Sequence, residues 1–292
     1  MQRQSVIVAA KRTPVGAFQG KLSPVSAPKL GAIAIKALID ETGIDISHID
    51  EVILGNVLSA GLGQAPARQA AIYAGLPNTV EALTVNKMCG SGLKAVMLAD
   101  QVIRGGDADV VVAGGMESMT NAPYLLKNGR SGYRFGHSTV YDHMTLDGLE
   151  DAYAHKAMGE FGEMCADKYQ FTREAQDEFA LASINRAKTA TDGGAFEAEI
   201  TPITIAGRKG DTVVSNDEGP RRAMPDKIPN LRPAFTKDGT ITAANASSIS
   251  DGASAIVLAR AEAAEGLKPL AKIVGHASFA QSPEWFTTAP VG

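Results

Sequence analysis

Cysteine is nearly absent: Cys89 and Cys165 are the only two in 292 residues. That excludes a disulfide scaffold and an all-cysteine zinc site. No uncharged apolar run reaches the ~18 residues of a membrane-spanning helix. Excess positive charge is missing too. The chain carries 28 Lys and Arg against 32 Asp and Glu, a net −4, so it has no electrostatic footprint for nucleic acid. A local basic patch can still serve a small acidic ligand. Aromatic residues are sparse, at 5%. The N-terminus lacks the apolar stretch and small-residue cleavage site of a signal peptide, which makes the cytoplasm the expected location.

What is there fits a folded protein. Hydrophobic residues make up 45% and charged residues 21%, ordinary globular values that argue against disorder. At ~150 residues per domain the length suggests about two domains. The 30 glycines suit a layered α/β protein with many tight turns and close backbone approaches.

Strand and helix patterns alternate through the first part. Residues 5–10, 51–58, 82–86 and 109–113 read as strands. Residues 28–41, 66–74 and 91–104 read as helices, with Leu30, Ile33, Ala34 and Leu38 at helical spacing. This predicts a mainly parallel sheet covered by helices, with right-handed crossovers. Residues 120–150 show no clear period. Two helices follow, at 158–169 and 172–190, the second opening on Thr172 as N-cap. Short strands and loops fill 195–248, and 254–259 returns to the buried-strand type. The segment 120–248 therefore reads as a large insertion between the fourth and fifth strands of one sheet. A further strand begins at 270–275.

The sharpest local feature is Val85-Asn86-Lys87-Met88-Cys89-Gly90-Ser91-Gly92-Leu93-Lys94. A strand ends, the chain turns, and Cys89 stands where a helix begins. Helix N-termini favour a thiolate and offer backbone N–H groups to an oxyanion. Gly90 and Gly92 leave room for a bulky substrate beside the sulfur. The logic is that of a strand-turn-helix nucleophile elbow, although Gly-x-Ser-x-Gly itself is absent. A free cysteine is more often a small buried hydrophobe; the flanking glycines favour the nucleophile.

This segment resembles the nucleophile motif of the thiolases, enzymes that make and break carbon–carbon bonds between CoA thioesters. Further segments agree, in order along the chain. They are Gly61-Leu62-Gly63-Gln64 with Ala65-Pro66-Ala67-Arg68-Gln69-Ala70, Gly114-Gly115-Met116-Glu117-Ser118-Met119, Leu231-Arg232-Pro233-Ala234-Phe235, Thr242-Ala243-Ala244-Asn245-Ala246-Ser247 and Asp251-Gly252-Ala253. The resemblance is closest to the acetyl-CoA acetyltransferase branch. It implies a thiolase-like α/β fold with an N-terminal domain (1–119 plus 249–268), an inserted loop domain (120–248) that binds CoA and joins dimers, and the start of a C-terminal domain (269–292).

The resemblance also implies the chemistry: reversible acetyl transfer, two acetyl-CoA giving acetoacetyl-CoA and CoA, through an acyl group carried on Cys89. Coenzyme A is then substrate and product, with no separate cofactor and no metal. By resemblance Arg221 meets the nucleotide part of CoA, and Leu149, Met158, Phe235, Ala243 and Ser247 line the pantetheine path. Arg208, in Gly207-Arg208-Lys209-Gly210, belongs to a local basic pair suited to phosphate oxygens. Degradative cleavage of longer 3-ketoacyl-CoA is the alternative activity, and a CoA-binding piece without turnover is another. The expected assembly is a homodimer or homotetramer, with 121–144 as the tetramer contact, and the expected setting is fatty acid metabolism.

The sequence departs from the family pattern in places. The family's Gly-His-Pro, Asn-Glu-Ala-Phe and second Cys-x-Gly motifs do not occur in these residues. The chain thus reads as a fragment or truncated variant. His48, His137, His143, His155 and His276 read as surface or packing residues, and Cys165 as structural. Ala157 stands where the family often has histidine, and Phe286 replaces a pocket methionine. Two other readings fail. The glycines near Gly61 miss the dinucleotide-binding pattern, whose third glycine is here Pro66. The acids Asp211, Asp217 and Glu218 match no calcium loop.

Overall fold

The computed structural model describes residues 3–264 and 266–292. In chain order the elements are β1 (Ser5–Arg12), β2 (Gly16–Ala17), α1 (Ala27–Thr42), β3 (Glu51–Gly55), α2 (Pro66–Tyr73), β4 (Glu81–Val85), α3 (Ser91–Gly105) and β5 (Val110–Ser118). Then come β6 (Tyr124–Leu125), β7 (Tyr141–Asp142), α4 (Met158–Tyr169), α5 (Arg173–Asp192), β8 (Ile203–Ile205), β9 (Thr212–Val214), α6 (Glu218–Arg222), β10 (Ser250–Arg260) and β11 (Ala271–Lys272).

The chain divides into two compact units. The first holds 1–121, 196–218 and 250–276; the second holds 122–195, 219–249 and 277–292. The expected insertion is therefore split. Residues 196–218 pack with the first unit, because Arg12 on β1 donates to Glu199 and, with two nitrogens, to Asp217. Those ion pairs are long-range in sequence and left no local signal.

The first unit is built on one sheet in the order β11-β1-β10-β5-β3-β4, with β2 paired to β10. Strand β3 pairs parallel with both β4 and β5. Strand β10 lies antiparallel between β5 and β1, so β1, β3, β4 and β5 all run in one direction. The sheet is thus mixed, its reversed strands being β10, supplied by the chain returning at residue 250, and the short β11 at the edge. Strand β5 runs on to Ser118, beyond the expected end at 113, because β10 continues to pair with 114–118. Strand β3 stops at Gly55, short of the expected 58. The Glu117 carboxylate draws Val57 and Leu58 away by accepting both backbone N–H groups at 2.9 and 3.0 Å.

Alternation along the strands sorts the core into two faces. Val52 and Leu54, Val110 and Val112, and Val257 meet α1 and α2 through Leu30, Ile35, Leu38, Ala67 and Ala70. Ile53, Val111, Ala113 and Leu258 meet α3 through Ala95, Ala99 and Ile103. Each fully buried Leu, Ile or Val contributes about 1.5–3 kcal/mol of transfer free energy. The small residues on the inner face of α3 let that helix lie close against the sheet. Arg260 and Arg3 both pair with Asp109, which follows α3 in the chain. The Arg260 hydrogen bond holds the Asp109 carboxyl below its usual range, so this cluster favours folding above pH ~4 and weakens on acidification.

In the second unit two carboxylates organise a segment without regular structure. Glu163 on α4 accepts from the backbone N–H groups of Thr240 and Ile241 and from the Thr240 hydroxyl, at 2.8 to 3.0 Å. Asp177 on α5 accepts from Arg173 at 2.7 Å and from Asn245 at 3.2 Å. Asn245 in turn accepts from Thr242 N at 2.7 Å. Thr172 caps α5 by accepting from Ala175 N, as its place in the sequence predicts.

Removing the Glu163 carboxylate leaves two backbone donors without it. Glu163→Ala is expected to lower stability by about 1–3 kcal/mol and to raise amide exchange in 240–247 more than in the sheet. Exchange mass spectrometry with chemical denaturation checks both. Equal exchange in variant and wild type would remove Glu163 from this role.

Candidate active site

Strand β4 ends at Val85 and α3 starts at Ser91, leaving five residues for the turn. Thr84 fixes the approach, its hydroxyl accepting from Ala67 N at the start of α2 at 2.9 Å. Within the turn, Met88 takes φ 48°, the left-handed region, which costs a non-glycine residue about 1–2 kcal/mol. Side chains hold it there. Asn86 Oδ1 accepts from Met88 N at 2.9 Å. The Ser91 hydroxyl donates to Met88 O at 2.6 Å and accepts from Lys87 N at 2.8 Å. Gly90 N donates to Lys87 O and Ser91 N to Met88 O. Cys89 sits at the crest of this closed loop, its side chain exposed.

Glycines bring the turn close to the sheet. A Cβ built on Gly55, the last residue of β3, would lie 2.7 Å from Gly92 N and from Ser91 Cβ. Real Cβ atoms do not approach so closely, so the first turn of α3 can rest there only against glycine. Gly92 in turn faces the backbone of Gly114 and Gly115 on β5 at ordinary contact distance. Just below, Asn56 donates to Met116 O and to Glu117 Oε1 at 3.1 and 2.8 Å, tying the ends of β3 and β5 together. Cys89 therefore stands over the carboxyl ends of parallel strands β3 and β4 and of β5, where open α/β sheets place their ligands.

The other expected site residues divide between the units. Leu149, Met158, Arg221, Phe235, Ala243 and Ser247 belong to the second unit, and Arg208 to the first, at the tip of the β8–β9 hairpin. Within the second unit Leu149 closes a single π-turn, Thr145–Leu149, and Met158 opens α4. The Phe235 ring lies directly over Gly159, so it is seated beside Met158. Ala243 and Ser247 lie on the segment that Glu163 and Asp177 anchor. Arg208 and Arg221 are exposed.

A cavity of about 500 Å³ in the second unit is lined by Tyr153, Lys156, Phe161, Met164, Pro283 and Glu284. It includes none of the seven residues just placed. Phe286 meets Phe161 edge-on, with ring centroids 6.4 Å apart. Cys165 lies on α4 in the second unit, half-buried. Three of the five histidines pair with carboxylates: His143 with Asp147, His155 with Glu150 and His276 with Asp100. Among the described residues no group of three His, Cys, Asp or Glu is arranged to hold a metal ion. Of the nearby acids, Asp217 is engaged by Arg12, and Glu218 accepts from Ala17 N and Lys21 N.

Sequence reading alone missed Asn86, Ser91 and Glu117 as supports of the turn, although each lies inside a motif it quoted. Their side chains signal caps and turns. The anchoring of 240–247 by Glu163 and Asp177 carries no local signal, since the residues they hold there lie more than sixty residues away.

Comparison with known proteins agrees with this arrangement. The thiolase N-terminal domain pattern matches residues 5–262. "Acetyl-CoA acetyltransferase 2" of Arabidopsis thaliana is 52% identical over 99% of this chain and 73% of its own length. "Acetyl-CoA acetyltransferase" of Pseudomonas aeruginosa is 51% identical over 98% of this chain and 74% of its own. The solved structure of "Acat5 thiolase from Ascaris suum in complex with coenzyme A" matches with a TM-score of 0.92 and 41% identity, over 98% of this chain and 74% of that one. The chain belongs to the thiolase family.

Proposed function

We propose that this thiolase transfers acetyl groups between CoA thioesters, with Cys89 as the atom that carries them. The observation that carries the reading is the exposed sulfur on a closed strand-turn-helix loop, in a chain about half identical to proteins named acetyl-CoA acetyltransferase. In the cleavage direction the Cys89 sulfur adds to the C3 carbonyl of acetoacetyl-CoA. The C2–C3 bond breaks, C2 takes up the proton that the thiol gave, and acetyl-CoA departs. CoA sulfur then attacks the acetyl-cysteine, releasing a second acetyl-CoA and returning the proton to Cys89. A helix start leaves its first amides without intrahelical partners, which suits that end of α3 to a carbonyl oxygen gaining charge, although the Gly90 and Ser91 amides already donate to Lys87 O and Met88 O within the turn. Splitting the transfer into two steps through a thioester lowers each barrier.

The CoA complex of the Ascaris relative supports CoA as the ligand of this chain. We assign the pantetheine path to Leu149, Met158, Phe235, Ala243 and Ser247, and the phosphates to Arg221 and Arg208. In support, the Phe235 ring is seated over Gly159 and the 240–247 segment is anchored by Glu163 and Asp177, so these residues hold fixed places within the second unit. The assembly we propose is a homodimer or homotetramer. Its support is the run of exposed aromatic and apolar side chains Tyr124, Leu126, Tyr133 and Phe135, more apolar surface than a loop needs for itself.

Mixing the protein with acetoacetyl-CoA and CoA should release acetyl-CoA, and Cys89→Ala should lower that rate by about a thousandfold or more. A variant that retains the wild-type rate would sink the assignment. Acetoacetyl-CoA should be cleaved faster than a long-chain 3-ketoacyl-CoA; the opposite order would favour the degradative reading. Light scattering should give a dimer or tetramer mass, and a monomer at all concentrations would refute the assembly.

A further inference from the structure

The turn that presents Cys89 contains an unfavourable residue and a specific device that holds it. Met88 has φ 48°. A methionine enters that region only when its surroundings over-determine it, whereas glycine enters freely. The Ser91 hydroxyl makes two of the bonds involved, donating to Met88 O at 2.6 Å and accepting from Lys87 N at 2.8 Å. It therefore links the residues before Cys89 to the first residue of α3 after it. Ser91 is itself buried, 5% exposed. Its Cβ packs against Gly55, where a further carbon would lie 2.7 Å away. The N-cap position of α3 belongs to Gly90; the Ser91 hydroxyl, one residue into the helix, points back and closes the loop behind it.

From this geometry we infer that Ser91 is a positioning residue for Cys89, acting through Met88. It keeps Met88 left-handed, and that conformation sets where the Cys89 sulfur stands. The inference rests on Cys89 being the acyl carrier, and goes beyond it by assigning the aim of the sulfur to a hydroxyl that touches no substrate. Asn86, which accepts from Met88 N at 2.9 Å, is the second support of the same residue.

The test is a cycle of four full-length proteins: wild type, Ser91→Ala, Met88→Gly and the double variant. The rate at which acetoacetyl-CoA acetylates Cys89 is followed by peptide mass spectrometry, with iodoacetamide alkylation of the same thiol as a measure of plain access. Ser91→Ala should slow acetylation by about tenfold to a hundredfold, the scale for a misplaced reacting group, while alkylation changes much less. Amide exchange at 87–89 should rise while the rest of α3 stays protected. In the Met88→Gly background the Ser91→Ala loss should shrink, because glycine needs no holding. That rescue separates positioning from a general loss of stability, which a second substitution would only deepen. If Ser91→Ala does not fold, Asn86→Ala replaces it in the cycle, with the same results expected. Equal acetylation by wild type and variant, or an undiminished loss in the glycine background, would overturn the inference alone. A wild-type protein whose Cys89 is alkylated but never acetylated would overturn the proposed function and this inference with it.

Discussion

The contact on which the site depends is one of backbone against backbone, between the first turn of α3 and the carboxyl ends of β3 and β5. Gly55, Gly92, Gly114 and Gly115 make it. No side chain could occupy the space at Gly55, and a Cβ on Gly114 would overlap the Ser254 carbonyl of the neighbouring strand. The small residues Ala95 and Ala99 continue the close approach along α3. The sheet thus supports the helix from below, and the helix start becomes a fixed platform. Glycine costs conformational entropy in both strand and helix, so a cluster of four at one point is stabilising only through the contact it permits.

A platform placed so exactly gives the short turn above it a defined shape. Between Val85 and Ser91 the chain has no room to wander. It resolves the geometry with one left-handed residue and a ring of hydrogen bonds from Asn86 and Ser91. The left-handed residue directly precedes Cys89, whose side chain is exposed. Strain at one residue is thus offset by the hydrogen bonds around it and by the buried sheet beneath. The second unit follows a related rule with other chemistry. There a segment without regular structure is given one conformation by two carboxylates, Glu163 and Asp177, that gather its backbone and side-chain donors.

Much of this was legible in the sequence. The alternation of apolar strands and amphipathic helices through residue 113 placed β1, β3, β4 and β5 with their helices, and the apolar run at 254–259 marked β10, because periodicity reports burial directly. The Val85–Lys94 motif placed Cys89 at a helix start, and Thr172 marked its helix by capping chemistry alone. What was not legible is long-range. The end of β3 is decided by Glu117, sixty residues on, and the length of β5 by β10, returning after residue 250. The packing of 196–218 with the first unit is decided by Arg12. Electrostatic partners far apart in sequence leave no period and no local composition. The left-handed Met88 was hidden for a different reason: the residue type argues against that conformation, and only its neighbours' side chains make it stable.

One measurement tests the account at its centre. The protein is mixed with acetoacetyl-CoA in the absence of free CoA, digested under conditions that preserve thioesters, and its cysteine peptides are mapped. The account predicts one acetyl group, on the peptide containing Cys89, with Cys165 unmodified and the label lost when CoA is added. An acetyl group on Cys165, or none on Cys89 in a folded protein, would contradict it.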